Sequence, residues 1–150
     1  KLHSILFTHA GVTSELWNEM NMDSKFMKVP AEERPYRIAD YLNGIDDNDS
    51  VYESIIAVGL SRGGWKSQGG IFWADVRDMM KSKFKDNKID CQIFGHTQMK
   101  KNPVFMKTKT SSFICLDARR SFIFDTYKGK FSETNGKPIE AFDLSNIKKR

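Results

Sequence analysis

Two short apolar segments of this chain each end in a histidine that stands close to a glycine. They are ILFTHAG (residues 5–11) and QIFGHT (residues 92–97). Runs like these are typical of buried strands, and layered α/β folds assemble their sites where strands end. Neutral imidazole is a common ligand for divalent metals. Taken singly, each histidine is more simply explained as a hydrogen-bonded structural residue; as a pair, they predict a site that contains both His9 and His96.

The composition indicates a globular chain with a core of its own. Its 150 residues include 39% hydrophobic and 29% charged residues, with eleven Phe and three Trp, which does not suit a disordered segment. No apolar run is long enough to span a membrane, and the N-terminus has no signal-peptide pattern. The cysteines Cys91 and Cys115 lie inside apolar runs without zinc-site spacing. We therefore expect buried, reduced thiols and a cytoplasmic location.

The net charge of +5 comes from Lys and Arg residues that are spread along the chain. Such residues usually form a solvated surface. Nucleic-acid binding would need cations clustered with stacking aromatics, and the sequence does not favour it. A modest positive field would still attract a phosphorylated substrate.

The order of apolar and polar segments predicts an α/β (α+β) fold, with residues 1–150 as a single domain. Helices are expected from Thr13, over Pro35–Leu42, and from Asp75 as N-cap to about Phe84. Loops are expected at residues 22–34, 44–50 and 99–111. Residues 51–58 fit either a helix or a strand. Strands are expected at residues 2–7, 89–94, 113–116, 121–125 and, more weakly, 139–142, with a tight connection at residues 117–120.

The motifs, taken in order, resemble those of the calcineurin-like metallophosphoesterases. THAG (residues 8–11) resembles the family's "HAG" motif, and GHT (residues 95–97) resembles its later "GHT" or "GHxH" motif. The segments between them, LSRGG (60–64) and FWAD (72–75), are similar to the Arg-Gly and Trp-Asp segments of the serine/threonine protein phosphatase branch. With residues 113–124 resembling the family's closing strand pair, the likeness covers about residues 4–125.

The resemblance implies a layered β-sandwich flanked by helices. It also implies two divalent metals, often manganese, iron or zinc, which activate water for attack on a phosphoester. By this resemblance His9 and His96 bind the second metal, and Arg62 clamps the phosphate with its guanidinium group. The alternative for Arg62 is a surface or structural arginine beside a flexible glycine loop. The remaining histidine, His3, matches no family motif and is interpreted as structural.

Several family motifs are missing from this chain. D-x-H, GDxxDRG and GNH(D/E), which supply most metal ligands in the family, do not occur. The chain therefore corresponds to the C-terminal part of such an enzyme, either as a fragment, which we favour, or as a natural protein that lost its first half. Two histidines without carboxylates do not hold a catalytic metal pair, so the isolated chain is expected to be inactive. Asp75 and Asp117 are possible replacement ligands, but they are more simply a helix N-cap and a turn residue.

Three functions remain open from the sequence. The first is the C-terminal part of a metal-dependent phosphoesterase that acts on phosphomonoesters, such as a phosphoprotein or a nucleotide. The second is a non-catalytic remnant that acts as a protein-interaction module. The third, an unrelated hydrolase with His9 as base, lacks a G-x-S-x-G nucleophile motif. In the first two, an exposed sheet edge would be covered by the missing N-terminal half or by self-association.

Overall fold

The computed structural model describes residues 4–84, 86, 88–100, 103–107, 112–125, 127–128 and 130–143. The third histidine, His3, lies outside these residues, so the prediction for it stays a prediction. The helices are α1 (Ser14–Met22), α2 (Ser24–Met27), α3 (Arg34–Asn43), α4 (Tyr52–Ile55) and α5 (Val76–Lys81). The strands are β1 (Ile5–Phe7), β2 (Cys91–Phe94), β3 (Val104–Lys107), β4 (Ser112–Cys115), β5 (Phe122–Asp125), β6 (Lys130–Glu133) and β7 (Pro138–Asp143).

The strands form two sheets. The first has four strands in the order β1-β2-β4-β3, in which β1, β2 and β4 run parallel and β3 is antiparallel to β4. The second is an antiparallel sheet in the order β5-β6-β7. Because β1, β2 and β4 run in one direction, their carboxyl ends meet at the same edge of the first sheet. The segments that follow β1 and β2 are the two histidine motifs.

The four-stranded sheet lies between the helices and the three-stranded sheet. On one face, Leu6, Phe94 and Phe113 pack in a core with helical residues such as Leu16 and Met79. On the other face, the alternate residues Cys91, Ile93 and Ile114 pack against Phe131 of the second sheet. Successive side chains of a strand point to opposite faces, and every residue of β2 and β4 is buried, so both faces of these strands are covered.

The expected helices at α1, α3 and α5 and the strands at β1, β2, β4, β5 and β7 are present, and the chain has a mixed α+β fold. Residues 51–58 contain the helix α4. The prediction of a loop over residues 22–34 was wrong where α2 lies: the side chain of Asp23 accepts hydrogen bonds from the backbone N–H of Lys25 and Phe26 and so caps that helix.

Two predictions about the last third of the chain were also wrong. Residues 99–111 contain the strand β3, whose Val104 and Met106 pack against the helical core and whose Phe105 packs toward the second sheet. Residues 117–120 do not close a strand pair, because β4 belongs to the first sheet and β5 to the second. Arg119 adopts a left-handed backbone conformation (φ 54°) in this connection, where the chain passes between sheets. In the described part of the chain, no helix is long and apolar enough to cross a membrane.

Candidate metal and phosphate site

The first histidine motif is held in place by Gln92 of the neighbouring strand. The buried side-chain amide of Gln92 accepts a hydrogen bond from the backbone N–H of Val12 (2.8 Å) and donates one to the Val12 carbonyl (3.0 Å). Gly11 has φ 101°, and a Cβ there would lie 2.6 Å from the sulfur of Met79. Only glycine fits such a turn without strain. The segment after β1 is thereby fixed, and it presents His9 at the edge of the sheet.

The second histidine motif is joined directly to the first. The backbone N–H of Gly95 donates to the carbonyl of His9 (2.9 Å), and His96 adopts a left-handed conformation with φ 64°. For a residue with a Cβ, this conformation costs about 1–2 kcal/mol. Residues that adopt it are held there by the surrounding structure and are frequent at functional sites. The turn directs the His96 ring toward the ring of His9.

The two imidazole rings meet through one nitrogen atom each. Nε2 of His9 lies 2.9 Å from Nδ1 of His96, with ring centroids 4.8 Å apart and planes inclined at 56°. Burial, the nearby charge of Arg62, and His9 lower the pKa of His96 below its ordinary value of 6.5, against the opposing effect of Asp75 and Asp117. The neutral ring is therefore favoured at His96, and the neutral ring is the form that binds metals.

The guanidinium group of Arg62 lies beside the second histidine. Its Nη2 donates to the carbonyl of His96 (3.3 Å) and to Oγ1 of Thr97 (3.0 Å), and it forms an ion pair with Asp75 (3.3 Å). Its Nε is buried and has no hydrogen-bond partner among the described residues. Nη2 is thus anchored to the protein, and the side chain as a whole is 26% exposed.

The side chain of Asp75 connects Arg62 to helix α5. Asp75 caps α5 as the sequence predicted, accepting from the backbone N–H of Arg77 (3.0 Å) while Asp78 accepts from the backbone N–H of Asp75 (3.1 Å). Burial acts to raise the pKa of Asp75, but hydrogen bonds from Arg77 and the charges of Arg77 and Arg62 hold it below its usual value. The carboxylate therefore stays ionised and orients both arginines.

The glycine-rich segment before helix α5 is closely packed. A Cβ at Gly64 would lie 1.9 Å from the carbonyl oxygen of Val58, and one at Gly70 would lie 2.1 Å from that of Ser54. Glycine is required here because backbone segments touch. The description of Arg62 as a residue beside a flexible loop does not match this packing.

Thr97, Phe72 and Trp73 were not singled out as site residues by the sequence, although each lies in a motif that carried the family resemblance. Oγ1 of Thr97 accepts from the backbone N–H of Val76 (2.9 Å) as well as from Arg62. The ring of Phe72 lies 6.4 Å from that of His9, and the ring of Trp73 stands edge-on to His96 at 5.6 Å. The site is therefore polar at its centre and aromatic at its rim.

The 2.9 Å between the two histidine nitrogens is the length of a hydrogen bond between the rings. Two ligands about 2.0–2.1 Å from one ion and at right angles to each other would also stand about 2.9 Å apart, whereas two ligands of a tetrahedral zinc ion would stand about 3.3 Å apart. Among the described residues, no group of three His, Cys, Asp or Glu side chains is placed to hold a metal. Asp75 is committed to two arginines, and Asp117 belongs to no such group. A metal ion on this pair would therefore need donors from outside the described residues.

Comparisons with protein-family models, with curated proteins and with solved structures gave no match. The metallophosphoesterase family thus stays a prediction from the sequence motifs.

Proposed function

We propose that this chain is the C-terminal part of a metal-dependent phosphoesterase of the calcineurin-like metallophosphoesterase family. The observation that carries the proposal is the contact between Nε2 of His9 and Nδ1 of His96 at 2.9 Å, with Arg62 bonded to the carbonyl of His96. The residues singled out as metal ligands and as phosphate clamp lie 87 and 34 positions apart in the chain, yet they form one cluster. The substrate class is a phosphomonoester on a protein, a nucleotide or another organic group.

In this proposal His9 and His96 hold a divalent ion, with manganese, iron or zinc suited to imidazole and carboxylate ligands. When bound, such an ion supplies Lewis-acid stabilisation of charge on the phosphoryl oxygens. Arg62, whose side chain is partly exposed, binds and orients the phosphate through its guanidinium group. Thr97 and Asp75 keep the guanidinium group in place.

A complete dinuclear centre needs the carboxylate ligands of an N-terminal half, so the isolated chain is proposed to be inactive. We place the protein in the cytoplasm, since Cys91 and Cys115 are free and buried. The partners are then a phosphorylated substrate and either the missing half or a second copy of the chain.

The test is manganese-dependent hydrolysis of p-nitrophenyl phosphate by this chain and by a longer product of the same gene that carries the missing motifs. Activity only in the longer product, lost on His9→Ala and on His96→Asn and kept on Gln98→Ala, supports the proposal. Manganese titration by calorimetry gives a second reading on the same variants. A longer product that neither binds manganese nor hydrolyses the ester overturns the proposal.

The second candidate is a non-catalytic protein-interaction module. The observation that favours it is the position of β1, which in the described sheet pairs only with β2, next to exposed apolar side chains of Phe7, Ile56 and Phe72. Sheet edges and apolar patches of this kind mark interaction surfaces. Light scattering after size exclusion tests it: a compact monomer at high concentration argues against self-association.

A further inference from the structure

An apolar cavity of about 640 Å³ opens beside His9. The described residues that line it include no Asp, Glu, Lys or Arg. Its volume lies within the range of about 300–1,000 Å³ that is usual for small-molecule sites. Its apolar wall is formed by residues of α4, by residues that follow α3 and α4, and by Phe72 of the aromatic rim: Ile45, Tyr52, Ile55, Ile56 and Phe72.

A few polar side chains interrupt the apolar wall. Thr8, His9, Asn43 and Tyr52 line the cavity beside the apolar residues. An apolar pocket with a small number of polar groups is the usual form of a ligand site.

We propose that this cavity binds the organic group of the phosphoester, and that this group is uncharged and apolar or aromatic. The inference rests on the proposed function, because the phosphate is assigned to the neighbouring cluster of His9, His96 and Arg62. The ester oxygen of such a substrate lies at the boundary between the two regions.

The lining disfavours polyphosphates and sugars as leaving groups. A second phosphate group would enter a cavity with no cation among its described lining residues, and a polyol would bury several hydroxyls against few polar partners. Phe72 lines the cavity and is 50% exposed. Aromatic groups pack favourably against such rings.

A polypeptide strand is a less suitable occupant of this cavity. The free edge of β1 covers only Ile5–Phe7, and three residues further on the backbone N–H of Ala10 already donates to the carbonyl of Ile71 (2.9 Å). An added strand would therefore lose its backbone partners before it reached the site. A small ligand needs no such pairing.

The test compares three probes in the presence of manganese, using the longer gene product that carries the missing motifs: 1-naphthyl phosphate, glycerol 2-phosphate and 1-naphthol. The naphthyl ester is expected to bind at least about tenfold more tightly than the glycerol ester, since its larger apolar group is removed from water. Ile56→Asp places a charge at a position that is 40% exposed on the cavity wall and should abolish the preference. Met22→Asp, at an apolar position that is 71% exposed and does not line the cavity, should keep it.

Three results would overturn the inference. If both esters bind equally well, and only with manganese, the cavity does not select the substrate. The proposed function then still stands. If 1-naphthol binds as tightly as the naphthyl ester and manganese has no effect, the cavity is not part of a phosphate site. Failure of all three probes to bind, in a chain that light scattering shows to be self-associated, assigns the cavity to a polypeptide partner.

Discussion

Nε2 of His9 and Nδ1 of His96 face each other across 2.9 Å, at the ends of two parallel strands whose residues are paired along their length. At this distance the two nitrogens share either a proton or a metal ion. Metal ligation requires both rings to be neutral, so protons and metal compete for the same atoms. The backbone hydrogen bond from Gly95 to His9 keeps the rings in this position in either state.

The lowered pKa of His96 predicts that acid destabilises the chain. Burial, then Arg62 and His9, favour the neutral ring in the folded state, so its contribution to stability is complete above pH 6.5, the ordinary histidine value, and is lost as pH falls through the lowered pKa. We expect the urea midpoint of the wild type to fall more steeply between about pH 7.5 and about pH 5.5 than that of His96→Asn. Parallel profiles for the two proteins would contradict this assignment.

The left-handed backbone of His96 predicts that glycine is more stable than alanine at this position, whereas alanine is the more stable of the two at an ordinary position. Because φ is 64° at this position, His96→Gly should leave the chain about 1 kcal/mol more stable than His96→Ala. Gln98 is exposed and is not among the positive-φ residues of the described chain, so Gln98→Gly should be less stable than Gln98→Ala. Urea denaturation of the four variants measures both differences. Equal stability of the two His96 variants would mean that the backbone there is not strained.

The sequence predicted the histidine pair because each motif combines two local signals, an apolar strand and a histidine that ends it. It also predicted Asp75 as the N-cap of α5, and the structure confirms this. The contact of Arg62 with Asp75 and Thr97 could not be read from the sequence, since nothing local sets which cation a buried carboxylate attracts.

The strand order was less predictable than the strands. Lysines surround Val104–Lys107 in the sequence, so the apolar face of β3 was not recognised. The separation of β4 and β5 into two sheets depends on packing of Phe131 against Cys91 and Ile114, which are distant in sequence. Such long-range packing overrides the local preference for a hairpin.

The buried side-chain amide of Gln92 should be required for stability, because it pairs with both backbone polar groups of Val12. Gln92→Leu would leave both backbone polar groups of Val12 buried without a partner, so we expect a loss of about 1–3 kcal/mol in the free energy of unfolding. Gln98→Leu, at an exposed position, is the matched control and should change stability little. A stability loss shared by both variants would show that the amide contacts of Gln92 are not its cause.

The hydrogen bonds of the Thr97 hydroxyl predict that valine and serine at this position differ in their effect on stability. Thr97→Val removes the acceptor for the Val76 N–H and for Arg62, and should cost about 1–2 kcal/mol of stability. Thr97→Ser keeps the hydroxyl and should recover most of that loss. Thermal unfolding of both variants checks the pair. If serine were as damaging as valine, packing of the threonine methyl group would be responsible.

The two arginines on Asp75 provide the most specific test of the phosphate assignment. Both form ion pairs with Asp75, but Arg62 contacts the His96 carbonyl, whereas Arg77 reaches the carbonyl of Ser61 and is 60% exposed at its side chain. Arg62→Lys removes the planar donor group and should weaken binding of inorganic phosphate about tenfold in the presence of manganese. Arg77→Lys should change phosphate binding less than about twofold.

Calorimetry on the two variants separates direct binding from an indirect effect. If Arg62 acts only by fixing Asp75, both substitutions disturb the same carboxylate and should weaken phosphate binding alike. If Arg62 binds the phosphate itself, the loss is confined to Arg62→Lys and its heat of binding falls, because two parallel hydrogen bonds are replaced by one point charge. Unchanged binding in Arg62→Lys would remove this residue from the site and leave the histidine pair without a phosphate partner among the residues assigned to it.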